Sequence, residues 1–264
     1  MSTHRLLALV PIYALIFTME VSASQPTFSD VTQGQLSGIY KDLGAVMYPT
    51  TVSGASSLGT LFGFEVGFLA GAGDSPHVNE LVPENVDKLP KAGLMAIVSV
   101  PFGLGVEASV LPVKVEGFEY DYKAIGGRWT FTDVFHFIPF LDMKLKVDYT
   151  TAELKWQQSI SNVPVDVTYE NKSVAYSLTV GKKILFIEPY AGLGRISGKS
   201  TLKSTGTVSI FDTSVPVSAT EDAKHKDTYY FLGAQLHLLF INTGLEMAKV
   251  YGNKVIVGKF TFGF

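Results

Sequence analysis

The chain has 264 residues, of which 47% are hydrophobic and 17% charged, with a formal net charge of −3. The absence of a basic excess removes the electrostatic footprint of a nucleic-acid binder, and zero cysteines exclude disulfides, thiolate metal sites and a cysteine-borne lipid anchor. A charged fraction below the roughly 25% of soluble domains, combined with 18 Phe and 12 Tyr, suits a surface in lipid better than one in water.

Residues 1–23 read as a signal peptide. Positive charge lies within Met1 to Arg5, an apolar run extends from Leu6 to Phe17, and Val21-Ser22-Ala23 supplies small residues for cleavage after Ala23. The run is interrupted by Pro11 and falls short of the roughly 20 residues that a spanning helix needs. Farther along, charge, Gly or Pro breaks every apolar stretch, so any later membrane crossing has to use strands.

Residues 24–57 form a region of their own. Phe28, Val31, Leu36, Ile39, Tyr40, Leu43, Val46 and Met47 recur at three- and four-residue steps, predicting a short amphipathic helix over 28–47 with Ser29 or Asp30 available to cap it. Pro49 and the run TVSGASSLG then read as a flexible linker. The apolar stripe of this helix needs a partner, either as a plug inside a barrel or in the periplasm.

From residue 58 to 264 the period changes to two. In LDMKLKVDY, Leu141, Met143, Leu145, Val147 and Tyr149 share one face while Asp142, Lys144, Lys146 and Asp148 share the other. The same pattern recurs in TLFGFEVGFLA and YYFLGAQLHLLF. Turn signals divide this region into about ten strands, with eight or twelve as the neighbouring even counts. Their expected ranges are 58–73, 91–101, 103–116, 118–131, 139–156, 165–181, 184–200, 225–241, 242–251 and 253–264. Short connections near Pro101, 133–138, 182–183 and 241–242 alternate with polar stretches at 74–90, 157–164 and 201–224, which read as long loops at the opposite end. Aromatic residues gather near strand ends, as interfacial girdles do.

The signal peptide, the alternating strands and the terminal VGKFTFGF resemble those of Gram-negative outer-membrane β-barrel proteins. The resemblance implies an all-β, transmembrane, antiparallel up-and-down barrel in the bacterial outer membrane. It implies that Phe260, Phe262 and Phe264 form the signal read by the barrel-assembly machinery, and that outer-membrane lipid is the main partner. The implied role is that of a structural membrane protein or narrow pore. A plugged transporter of small hydrophobic compounds is the second reading, in view of the helix at 28–47.

The strand faces assigned to the lumen carry Glu65, Glu107, Arg128, Asp142, Lys144, Lys146, Asp148, Glu188, Arg195, Glu246 and Lys259. Both signs occur, so cross-lumen pairing or a charged aqueous path is expected. No cofactor or metal is expected, since His77, His136, His225 and His237 have no short ligand spacing. An enzyme is not expected. Glu119 and Asp121 near one outer strand end, and His225 with Asp227 near another, are the remaining hydrolase candidates, and the order of His and Asp departs from the omptin proteases they would resemble.

Overall fold

A computed structural model of the chain describes residues 33–59, 62–80, 86–115, 117–135, 140–160, 163–210 and 213–263. The signal peptide, the beginning of the predicted helix, His136 and Phe264 lie outside the described residues.

Alternation of apolar and polar residues is satisfied by a closed sheet. Ten antiparallel strands follow one another around the wall: β1 (Gly63–Asp74), β2 (Lys88–Val100), β3 (Leu104–Val115), β4 (Phe118–Thr130), β5 (Asp142–Ile160), β6 (Val163–Gly181), β7 (Ile187–Ile210), β8 (Thr213–Leu238), β9 (Ile241–Val250) and β10 (Asn253–Gly263). The last strand pairs with the first, with Glu65 opposite Gly263 and Phe68 opposite Phe260, so the sheet has no free edge. Helix α1 (Gln33–Val46) precedes the barrel, and a single turn of helix, α2 (Pro76–Asn79), lies in the β1–β2 connection.

One end of the barrel has tight connections, at Pro101–Gly103 and around Leu185 and Leu239, which take positive φ. Gly103 is required there, because a Cβ on it would lie 2.2 Å from the carbonyl of Thr130. The other end is uneven. The described residues of the stretches at 157–164 and 201–224, expected as loops, are instead continuations of the β5–β6 and β7–β8 ladders, which run to Ile160↔Val163 and Ile210↔Thr213. Their Ser, Thr and Gly content imitates a loop, yet two strands paired with each other outside lipid need no apolar face. The result is a tall wall formed by β5 to β8, which are 19 to 26 residues long.

The apolar face points outward. Phe64, Val66, Leu94, Val98, Val106, Ile125, Leu145, Val147, Leu193, Leu232, Leu245 and Phe262 are all exposed, while Glu65, Glu107, Arg128, Lys144, Asp148, Glu188, Glu246 and Lys259 are buried. A water-soluble sheet does the reverse, so the solvent on the outside is hydrocarbon and the fold is of the outer-membrane barrel type. The tight turns share this character: Phe102, Phe140, Leu185, Leu239 and Phe240 are strongly exposed. Geometry explains why. From Ile241 to Lys249, β9 climbs about 26 Å at roughly 3.3 Å per residue, and a tilt of about 40° reduces that to about 20 Å, short of the roughly 25 Å apolar band. Leu239 and Phe240 at the turn make up the difference.

Candidate functional site: a filled lumen

The interior is built on two levels. Toward the tight-turn end, the inward faces of the strands carry ionic groups arranged in sets. Glu107 on β3 receives Arg128 of β4 at 3.0 Å and Lys146 of β5 at 2.7 Å, with Lys144 at 3.8 Å. Lys146 also reaches Asp148 at 3.1 Å, and Lys259 on β10 pairs with Glu65 on β1 at 2.6 Å, across the closing seam. Glu188 accepts from His237 at 3.3 Å. Opposite charges are thus matched inside the wall, as buried charge requires.

Residues 48–57 run through this charged level, so the stretch read as a flexible linker is the element that fills the lumen. Its partners are distributed around the wall. Thr50 donates to Glu246 at 2.6 Å, which also receives Tyr190 at 3.0 Å. Thr51 and Ser53 both donate to Glu107. The Lys144 ammonium donates to the Ser53 carbonyl, Thr130 to the Ala55 carbonyl and Arg128 to the Ser56 carbonyl, each at 2.8 Å. The Ser56 amide donates to Glu188 at 2.8 Å and its hydroxyl to Asp142 at 2.9 Å. Extended backbone without a strand partner must find such bonds when buried, and the ionic wall supplies them. Gly54 is fitted closely, since a Cβ there would meet the Glu188 carboxylate at 2.2 Å. The space left beside the segment, between Thr50, Ser53, Lys146, Ser177 and Tyr229, is about 10 Å³, roughly room for one water molecule.

The level toward the tall wall is different. Tyr122, Ala152, Trp156, Val167 and Tyr169 face inward from β4, β5 and β6 and enclose Tyr40, Leu43 and Met47 of α1. The Tyr40 ring stacks on Tyr169 at 5.8 Å and lies 5.4 Å from His225. Burial, with Glu221 and Asp222 nearby, pushes the Tyr40 phenol up to about 12, so it stays neutral. The described part of the predicted helix, α1, is therefore inside the barrel mouth, and its apolar residues find an apolar wall. Its polar side is pinned by Asp42, a fully buried carboxylate. Asp42 accepts the His77 amide at 2.8 Å, the Val78 amide at 3.0 Å and the Asn253 side-chain amide at 2.7 Å, and contacts His77 Nδ1 at 2.9 Å. At the junction of the levels, Lys91 donates to the carbonyls of Val46 and Tyr48 at 2.7 and 2.6 Å, capping the end of α1.

Ten of the eleven side chains assigned to the lumen lie on the inward side of the wall, with Asp142 near the tight-turn rim, where Lys182 pairs with it at 3.2 Å. Arg195 is the correction: it is exposed on the outer face, between buried Gly194 and Ile196. An unbroken strand with a period of two cannot place both Glu188 and Arg195, seven residues apart, on one side. Lys91 and Asp42 are lumen groups the sequence reading missed. The parity of Lys91 with Ser99 could have revealed it, but Met95 and Ile97 on the same face disguised that face as apolar. The hydrolase candidates do not converge: Glu119 and Asp121 pair with Lys114 and Lys123 on the outer side of β3 and β4, whereas His225 and Asp227 belong to the inward side of β8.

Residues 20–253 match the family of unknown function DUF6588. The chain belongs to that family. A comparison with curated proteins finds no match. Among solved structures, the attachment invasion locus protein Ail of Yersinia pestis is 14% identical, covering 77% of this chain and 97% of its own, with a TM-score of 0.34. The translocator domain of the autotransporter NalP from Neisseria meningitidis is 9% identical over 88% and 94% of the two chains, with a TM-score of 0.41. Omp33 of Acinetobacter baumannii is 14% identical over 77% and 98%, with a TM-score of 0.31. At these scores the likenesses carry no argument about activity, which has to come from the lumen itself.

Proposed function

We propose that the protein is a Gram-negative outer-membrane barrel closed by its own N-terminal segment, which passes solute only when that segment moves. The tight turns would face the periplasm and the tall wall the exterior. The observation that carries this reading is the set of bonds from residues 50–56 to Glu107, Arg128, Thr130, Asp142, Lys144, Glu188 and Glu246, which leaves about 10 Å³ beside the segment. In planar bilayers the intact protein should show no steady conductance, and a variant lacking residues 33–57 should conduct ions. Steady conductance of the intact chain equal to that of the deletion would contradict the proposal.

A second reading, passage of small hydrophobic compounds, is favoured by the apolar mouth formed by Tyr122, Trp156 and Tyr169 above the ionic level. A solute entering from outside would meet rings before charges. Uptake of a small aromatic compound into proteoliposomes, reduced by Trp156→Glu, would support it, and equal uptake by both would count against it.

Biogenesis fits the same picture. We infer that Phe260 and Phe262, on the outward face of the seam strand, and Phe264 after them form the signal for the barrel-assembly machinery. A charged tail appended after Phe264 should impair insertion, and unimpaired insertion would remove that role.

A further inference from the structure

The outer face of the tall wall carries positive charge in an arrangement that folding alone does not favour. Lys172 of β6, Lys199 of β7 and Lys224 of β8 are exposed and directly opposite one another in the ladder. Like charges in register repel, and adjacent strands are only about 4.8 Å apart. Lys199 is paired with Asp222 at 2.8 Å. Among the described residues, Lys172 and Lys224 have no carboxylate within ion-pair distance.

The charge continues around the wall at the upper edge of the apolar band. Arg195 stands just above Leu193, and Lys226 lies above Thr228 and Tyr230. Farther round, Lys249 precedes the outward Met247 and Leu245 toward the tight turns, and Lys254 faces Lys249 in register just above Ile256. Carboxylates share this face: Glu170 on β6 pairs with Lys203, and Asp222 on β8 pairs with Lys199. On β4 and β5 the outward faces carry acids and bases side by side, with Asp121 against Lys123 and Glu153 against Lys155. Cations therefore outnumber carboxylates on the outward faces of β6 to β10, with Lys172 two residues from the exposed Val174 and Arg195 two residues from the exposed Leu193, although the chain as a whole is negative.

We propose that this face binds the phosphate groups of a multiply phosphorylated glycolipid in the outer leaflet, its acyl chains lying on Val174, Tyr176 and Leu193 below. Three ammonium groups within two strand spacings suit a headgroup with more than one phosphate, and the anion would remove the repulsion within the Lys172, Lys199 and Lys224 row. The inference rests on the membrane reading above.

The test uses the full chain reconstituted in phosphatidylcholine vesicles containing diphosphorylated lipid A or its dephosphorylated form, with bound lipid counted by native mass spectrometry. The wild type should retain the diphosphorylated form, and K172Q/K199Q/K224Q should retain about tenfold less. K114Q/K123Q/K155Q, on β3 to β5, should behave as wild type. Equal retention of the dephosphorylated lipid, or equal loss in both triple variants, would overturn the proposal. Folding is followed separately by heat-modifiable gel mobility. A protein that fails to fold in any of these vesicles would overturn the membrane reading itself, and this inference with it.

Discussion

The two levels of the lumen hold the same N-terminal segment by different physics. In the mouth, α1 is held by rings and aliphatic groups around Tyr40 and Met47, an interaction that is non-directional and proportional to area. Below it, residues 50–56 are held by hydrogen bonds between their backbone or hydroxyls and wall charges that already pair with one another. Shape and area secure the upper attachment, and bonding geometry secures the lower. A segment built this way can loosen at one level while the other stays closed.

Breaking the lower level should have the largest effect. Glu107→Ala leaves Arg128, Lys144 and Lys146 facing one another around an empty position, and should lower stability by about 3–5 kcal/mol in urea unfolding from vesicles. It should also raise conductance, since Thr51 and Ser53 lose their acceptor. Trp156→Ala attacks the upper level and should cost about 3 kcal/mol, with the bilayer trace still closed. Asp42→Ala releases the His77 and Val78 amides and the Asn253 side chain, at about 1–3 kcal/mol, and should expose α1 to protease without opening the lower lumen. Arg195→Gln, outside both levels, should change stability by less than about 0.5 kcal/mol. A large loss there would show that the residue points inward after all.

Most of the wall could be read from the sequence because lipid and lumen impose opposite demands on alternate residues. The run from Leu141 to Tyr149 shows both demands at once, and the strands β2, β3, β4, β9 and β10 lie close to their expected ranges. The tall hairpins were hidden because a sheet that rises out of lipid loses the apolar face that announces it, as in Thr201 to Thr205. The lumen segment was hidden for a related reason. TVSGASSLG has no period because its bonds go to side chains on many strands rather than to one neighbouring strand, and small hydroxylated residues beside Gly54 look the same in a linker and in a narrow polar channel. Arg195 shows that strict parity along one strand is more reliable than the chemical type of a residue.

The most direct test of the account is whether residue 52 lies inside the wall. A Cβ on Gly244 would sit 3.1 Å from Val52 Cγ1, within the range a disulfide can bridge, and the chain has no cysteine to interfere. The V52C/G244C variant, folded in vesicles and then oxidised, should form an intramolecular disulfide while keeping its heat-modifiable mobility and its closed bilayer trace. Two free thiols persisting in a folded barrel would contradict a lumen filled by the N-terminal segment.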